Sequence, residues 1–196
     1  MLKELESLSL PEGNFDNELI FFDINDKPLI KKCFKDWVDL CKSSLKIGGT
    51  RIPNIPESVT EAILSLELNV GRCVENISGS SSSFDLYDVY RKKRIQLKAA
   101  TSTGPTSFGP KSQYDEIYFM YFREIAEGKR SNNFSGKYEI YKLDTKIFPK
   151  LVLNKSKNET FEDQQKAGRR PRLSIPKQIL DNLSIKPISV GNIDLW

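Results

Sequence analysis

The chain has 196 residues, a formal net charge of +4, 38% hydrophobic and 29% charged residues, and no histidine. That length holds one domain with a sizeable core, and no apolar run approaches the length needed to span a bilayer. Without histidine, Ser/His/Asp and Cys/His catalysis and imidazole zinc sites are excluded, so acid–base work falls to carboxylates, lysines and tyrosines. Cys33, Cys41 and Cys73 are scattered, make no CxxC pair, and read as small buried apolar residues. The start, Met1-Leu2-Lys3-Glu4-Leu5-Glu6, lacks the apolar run of a signal peptide and predicts a cytoplasmic protein.

Leu2, Leu5 and Leu8 recur every three residues and predict a helix over Met1 to Leu10, broken by Pro11-Glu12-Gly13-Asn14. Asn17 to Ile24 is apolar and reads as a strand or a buried helical segment. Asp26 caps a predicted helix with Pro28 in its first turn, running from Leu29 to Lys46 and ending at Gly48-Gly49. Residues 1–50 are therefore expected to form a helical N-terminal lobe. After the stiff loop Arg51 to Glu57, Ser58-Val59-Thr60-Glu61 fits a capping box and opens a helix to about Leu68. Val70 to Ile77 reads as the first core strand, followed by Gly79 and the serine run Ser80 to Ser83.

Ser83 to Ala100 then reads as a hairpin: two apolar runs flanking the basic tip Arg91-Lys92-Lys93-Arg94. Side chains alternate along a strand. A turn at Arg91-Lys92 puts Asp85 across from Lys98 and Tyr87 across from Gln96, all on one face. A three-residue turn instead puts Asp88 across from Gln96, because a one-residue slip flips the face. Asp85 is favoured because that register keeps Phe84, Leu86, Ile95 and Leu97 together on the buried side. A carboxylate, an amide and a lysine converging there suit metal-assisted hydrolysis of a phosphodiester. Mg²⁺ takes carboxylate and carbonyl oxygens, and a lysine can orient or deprotonate a water and offset developing charge. Read alone, Asp85 and Lys98 also fit an ordinary cross-strand ion pair.

Thr101 to Lys111 is rich in Gly, Pro, Ser and Thr and reads as a loop. Asp115 to Ile125 is aromatic and apolar and predicts a central strand buried on both faces. Gly136 to Leu143 is a further strand, and Thr145 to Leu153 a turn or short helix. Asn154 to Arg172 turns polar and basic, with Gln164, Gln165, Arg169, Arg170 and Arg172. Arginine and glutamine are the side chains that bond guanine and adenine bidentately in the major groove. Ser174 to Leu183, with Pro176 in its first turn, reads as a short helix ahead of the tail.

Asp85 with Gln96-Leu97-Lys98 resembles the PD-(D/E)xK nuclease motif, with Gln96 in place of the second acid and Phe84 in place of the proline. The surrounding Ser81-Ser82-Ser83-Phe84-Asp85, Arg94-Ile95-Gln96-Leu97-Lys98-Ala99 and Thr106-Ser107-Phe108-Gly109-Pro110-Lys111, with Gly168-Arg169-Arg170-Pro171-Arg172, resemble a small type II restriction endonuclease of the kind that cuts GCNGC-type sites. The resemblance implies Mg²⁺-dependent cleavage of double-stranded DNA, a homodimer for a palindromic site, and a cognate DNA methyltransferase. It makes Asp85 and Gln96 metal ligands, one or two metals being left open, and Lys98 the residue that activates water. Glu61 is the candidate for the glutamate that a preceding helix brings to the metal in such enzymes; the bland alternative is a capping residue. Arg91, Lys93, Thr106, Ser107, Lys111, Gln164, Gln165, Arg169, Arg170 and Arg172 become candidate DNA contacts. The order of elements fits an α/β fold with a mixed central sheet flanked by helices, like the restriction-endonuclease core. It is expected as a single domain with a catalytic core at 51–153 and a basic recognition segment and tail at 154–196. The rivals are a sequence-specific DNA-binding protein without catalysis and a repair or structure-selective nuclease on the same fold.

Overall fold

The computed structural model describes residues 1–50, 52–74, 83–110, 112–128 and 134–196. Arg51, Lys111, residues 75–79 and Ser80 to Ser82 of the serine run lie outside the described residues.

Strands β1 (Leu2–Leu10) and β2 (Gly13–Phe21) form a hairpin. It pairs without a break from Leu2↔Phe21 to Leu10↔Gly13, so Pro11-Glu12 is a two-residue turn, closed by Gly13 at φ +142°. The expected helix over Met1 to Leu10 is thus a strand, and residues 1–50 are not a helical lobe. The alternation of buried Leu8 and Leu10 with more exposed neighbours outweighs the three-residue leucine spacing. Helix α1 (Lys27–Lys46) follows, with Pro28 in its first turn. Helix α2 (Glu57–Leu68) starts after Pro56, whose extended backbone (φ −59°, ψ 133°) sets the boundary. Ser58 is therefore already inside the helix, no side chain caps its start, and the expected capping box is absent. Asn69 closes α2 in the left-handed conformation at φ +53°.

The core strands come next: β3 (Gly71–Cys73), β4 (Leu86–Asp88) and β5 (Lys93–Ala100). Strand β6 (Thr106–Ser107) lies within the expected loop, and β7 (Glu116–Tyr121), the short helix α3 (Arg123–Glu127) and β8 (Lys137–Leu143) follow. The basic segment has structure of its own: β9 (Val152–Asn154), β10 (Glu159–Thr160), α4 (Phe161–Lys166) and β11 (Arg172–Leu173). A π-helical turn (Pro176–Leu180) runs into α5 (Asp181–Leu183), and β12 (Ser189–Asn192) ends the sheet.

Among the described residues, eight strands make one mixed sheet in the order β1-β2-β3-β4-β5-β7-β8-β12. All neighbours are antiparallel except β5 and β7, which run parallel from Ile95↔Glu116 to Ala100↔Tyr121. Parallel neighbours need a long crossover, and residues 101–115 supply it. One face packs Ile95, Leu97, Tyr118, Met120 and Ile140 against Phe34, Trp37, Val59 and Ile63 of α1 and α2. The other packs Ile117, Phe119, Tyr121 and Tyr141 against Phe108, Phe148, Phe161, Leu173 and Ile179. Two-sided burial explains the near-continuous apolar run of β7. The architecture is the expected α/β fold, a mixed sheet flanked by helices.

Candidate active site

The cleft is made where strand pairing stops. In the β4–β5 hairpin Leu86 faces Ile95, Tyr87 faces Arg94 and Asp88 faces Lys93. This register carries Asp85 opposite Gln96, two residues away from the expected Asp85–Lys98 pairing. The shift is even, so Asp85, Gln96 and Lys98 keep one face. The loop is four residues, Val89 to Lys92, because Asp88 closes it: its Oδ1 accepts from Arg91 N–H at 2.8 Å and its Oδ2 from Arg91 Nε at 2.6 Å. Asp88 thus belongs to the turn and is not opposite Gln96.

Past Leu86, β4 no longer supplies acceptors to β5. The Asp85 carboxylate takes over: Oδ2 accepts from the Leu97 N–H at 2.7 Å and from Gln96 Nε2. A cleft of about 590 Å³ opens beside this unpaired part of β5, lined by Glu57, Glu61, Asp85, Gln96, Lys98, Thr106, Ser107, Arg170 and Arg172. A second hollow of about 410 Å³ shares Glu57, Glu61 and Asp85 and adds Arg72, Cys73 and Phe84. Glu61 projects from α2 and pairs with Arg72 Nε at 2.5 Å.

Burial pushes the Asp85 carboxyl up, partly opposed by the Lys98 charge and the Leu97 N–H. Burial first, and then the Asp85 charge, lift Glu61 to about 7 against the pull of Arg72. Buried acids with like charges beside them, Glu61 facing Asp85 and Asp85 facing Glu57, make a site whose charge a cation would neutralise. Among the described residues no three Asp, Glu, Cys or His side chains gather closely enough to hold a metal. The side chains that could serve a metal are the Asp85 and Glu61 carboxylates and the Gln96 amide oxygen, a set that would suit a hard ion keeping several waters. The Cys73 thiol, pushed far up by burial and by the same two acids, stays protonated and inert.

The other candidates divide. Thr106 and Ser107 pair as β6 with Leu173 and Arg172 of β11, so the loop and the basic segment meet at the cleft. Arg170 and Arg172 are exposed and line it. Arg91 does not: it is held by Asp88 and by Glu116 at 2.8 Å. Lys93 is exposed at the opposite end of β5, five residues or roughly 17 Å from Lys98. Gln164 donates to Glu159 at 3.0 Å, Arg169 pairs with the same carboxylate, and Gln165 donates to the Gly109 carbonyl at 3.4 Å. Lys111 lies outside the described residues. Glu57 was missed from sequence; its signal is the four-residue spacing from Glu61, which puts both acids on one helix face.

The Bsp6I restriction endonuclease family model matches residues 22–182. The type II restriction enzyme Bsp6I of Bacillus sp. (strain RFL6) is 27% identical over 164 residues, covering 81% of this chain and 83% of that protein. No solved structure matches the chain. The match of residues 22–182 takes in α1, α2, the central hairpin and the basic segment, and the chain belongs to the Bsp6I restriction endonuclease family.

Proposed function

We propose that the chain is a Mg²⁺-dependent type II deoxyribonuclease that cuts double-stranded DNA at a short, GC-rich, interrupted palindrome. One observation carries the reading: Asp85, Gln96, Lys98 and Glu61 line the same cleft as Arg170 and Arg172. Asp85 and Glu61 would hold the metal, with the Gln96 amide completing the set. When bound, Mg²⁺ supplies electrophilic stabilisation of the charge that builds on the scissile phosphate. The Lys98 ammonium orients the attacking water and offsets negative charge in the transition state. Water's oxygen forms the new P–O bond and gives up a proton to solvent as the bond to the leaving sugar oxygen breaks, and that oxygen takes up a proton from solvent. Arg170, Arg172, Thr106 and Ser107 bind the duplex along the cleft mouth.

A palindromic site needs two copies to cut both strands, so the working form is a homodimer. Such an enzyme acts in the cytoplasm beside a methyltransferase that protects host DNA. Among the described residues no helix is long and apolar enough to cross a membrane.

The test is digestion of phage DNA with purified protein in Mg²⁺ and in EDTA, beside Lys98→Ala. Discrete Mg²⁺-dependent fragments, lost in the variant, are expected, and sequencing their ends gives the site. Intact DNA with a gel shift that Lys98→Ala leaves unchanged would instead mean a non-catalytic binder. Cutting without a fixed fragment pattern would mean a structure-selective nuclease.

A further inference from the structure

Lys98 Nζ stands 5.8 Å from the centroid of the Phe108 ring. A lysine stem is flexible, and among the described residues no carboxylate or carbonyl bonds this ammonium. The electron-rich face of an aromatic ring attracts a cation at such a distance, so the Phe108 ring acts on Lys98 beside the longer-range pull of the Asp85 carboxylate.

Phe108 is itself held firmly. Its side chain is fully buried, with ring centroids 5.4 Å from Phe148 and 5.2 Å from Phe161. Its N–H donates to the Pro171 carbonyl at 2.9 Å, and the two residues before it pair with β11. Phe161 opens α4, and Arg172 of β11 lines the cleft. The ring under Lys98 is thus fixed by the segment that carries the cleft's arginines.

We propose that Phe108 is a positioning residue for cleavage: it sets the place of the Lys98 ammonium and ties that place to the docked basic segment. The proposal rests on the role given to Lys98 under Proposed function. Phe108 would act through Lys98 and would touch neither DNA nor metal.

The test compares Phe108→Leu, Phe108→Met, Ile179→Ala and Lys98→Ala. Methionine fills the volume with a flexible chain but offers no ring face. Single-turnover cleavage is measured at saturating protein in Mg²⁺, DNA affinity by gel shift in EDTA, and stability by thermal melting. Both Phe108 variants are expected to cut about 3- to 30-fold more slowly while DNA affinity holds within about twofold. Ile179→Ala, a loss in the same cluster at a residue that is not part of the ring stack on Phe108, is expected to lower the melting temperature comparably and to cut at the wild-type rate. A rate loss shared by Ile179→Ala, or one matched by weaker DNA binding, would overturn the positioning role. Lys98→Ala cutting at the wild-type rate would overturn the reading beneath it.

Discussion

Glu61 is a residue whose charge burial disfavours. Its carboxyl sits at about 7, against 4.5 for an ordinary glutamate. Between these values the folded chain keeps a proton that the unfolded chain has released. The contribution of Glu61 to stability is therefore fullest below about 4.5 and is lost as pH rises through 7. The loss is on the order of 3 kcal/mol. In EDTA, the wild-type melting temperature is expected to fall relative to that of Glu61→Gln as pH goes from 5 to 7.5. Parallel curves would show that Arg72 already neutralises the charge. A divalent ion should act in the opposite direction, because it favours the ionised carboxylates. At pH 7.5 and a Mg²⁺ concentration about a hundredfold above its dissociation constant, it should add about 2.7 kcal/mol. That gain is expected in a calorimetric melt of the wild type and not of Asp85→Asn.

At the scale of elements, the two aspartates of the β4–β5 hairpin stand in different places, Asp85 in the cleft and Asp88 in the turn. Asp88 is buried and holds the loop through Arg91. Asp88→Ala is expected to destabilise the chain by about 1–3 kcal/mol while the single-turnover rate, measured well below the melting temperature, is retained. Asp85→Asn is expected to abolish cleavage with little loss of stability, since it removes a buried charge. The reverse pattern would move the proposed metal site from Asp85 to Asp88. This hairpin also marks what was legible in the chain. Alternation fixes the face, and Asp85, Gln96 and Lys98 share it. Register depends on loop length, and here an aspartate closes the loop with its side chain, with no Gly or Asn to mark the turn. The same blindness hid β1: three leucines spaced by three mimic a helix, while the turn at Pro11-Glu12 reads equally well as a helix break. Residues such as β7's aromatics, whose environment is the same on both faces, were readable because no register is needed to place them. Arg72 and Phe108 support the site only through contacts made across the fold, which no local pattern encodes.

At the scale of the molecule, the basic segment is not a loose arm. Gln164 and Arg169 gather on Glu159, Gln165 reaches the Gly109 carbonyl, and β11 pairs with β6. The basic run Gly168-Arg169-Arg170-Pro171-Arg172 is thereby sorted: Arg170 and Arg172 line the cleft, and Arg169 is neutralised beside it. Phosphate contacts release counterions, so each one lost lowers the slope of log affinity against log salt by about 0.9. Arg170→Ala and Arg172→Ala are each expected to lower that slope by up to this amount, measured by titrating duplex DNA in EDTA over a range of salt. Arg169→Ala should change it far less, because its charge is already offset by Glu159. If one of the cleft arginines reads a guanine edge, its alanine variant should also narrow the gap between cognate and scrambled duplexes. An equal slope change in all three variants would mean that Glu159 releases Arg169 when DNA arrives, and Glu159→Ala would then bind DNA more tightly with no further change in slope.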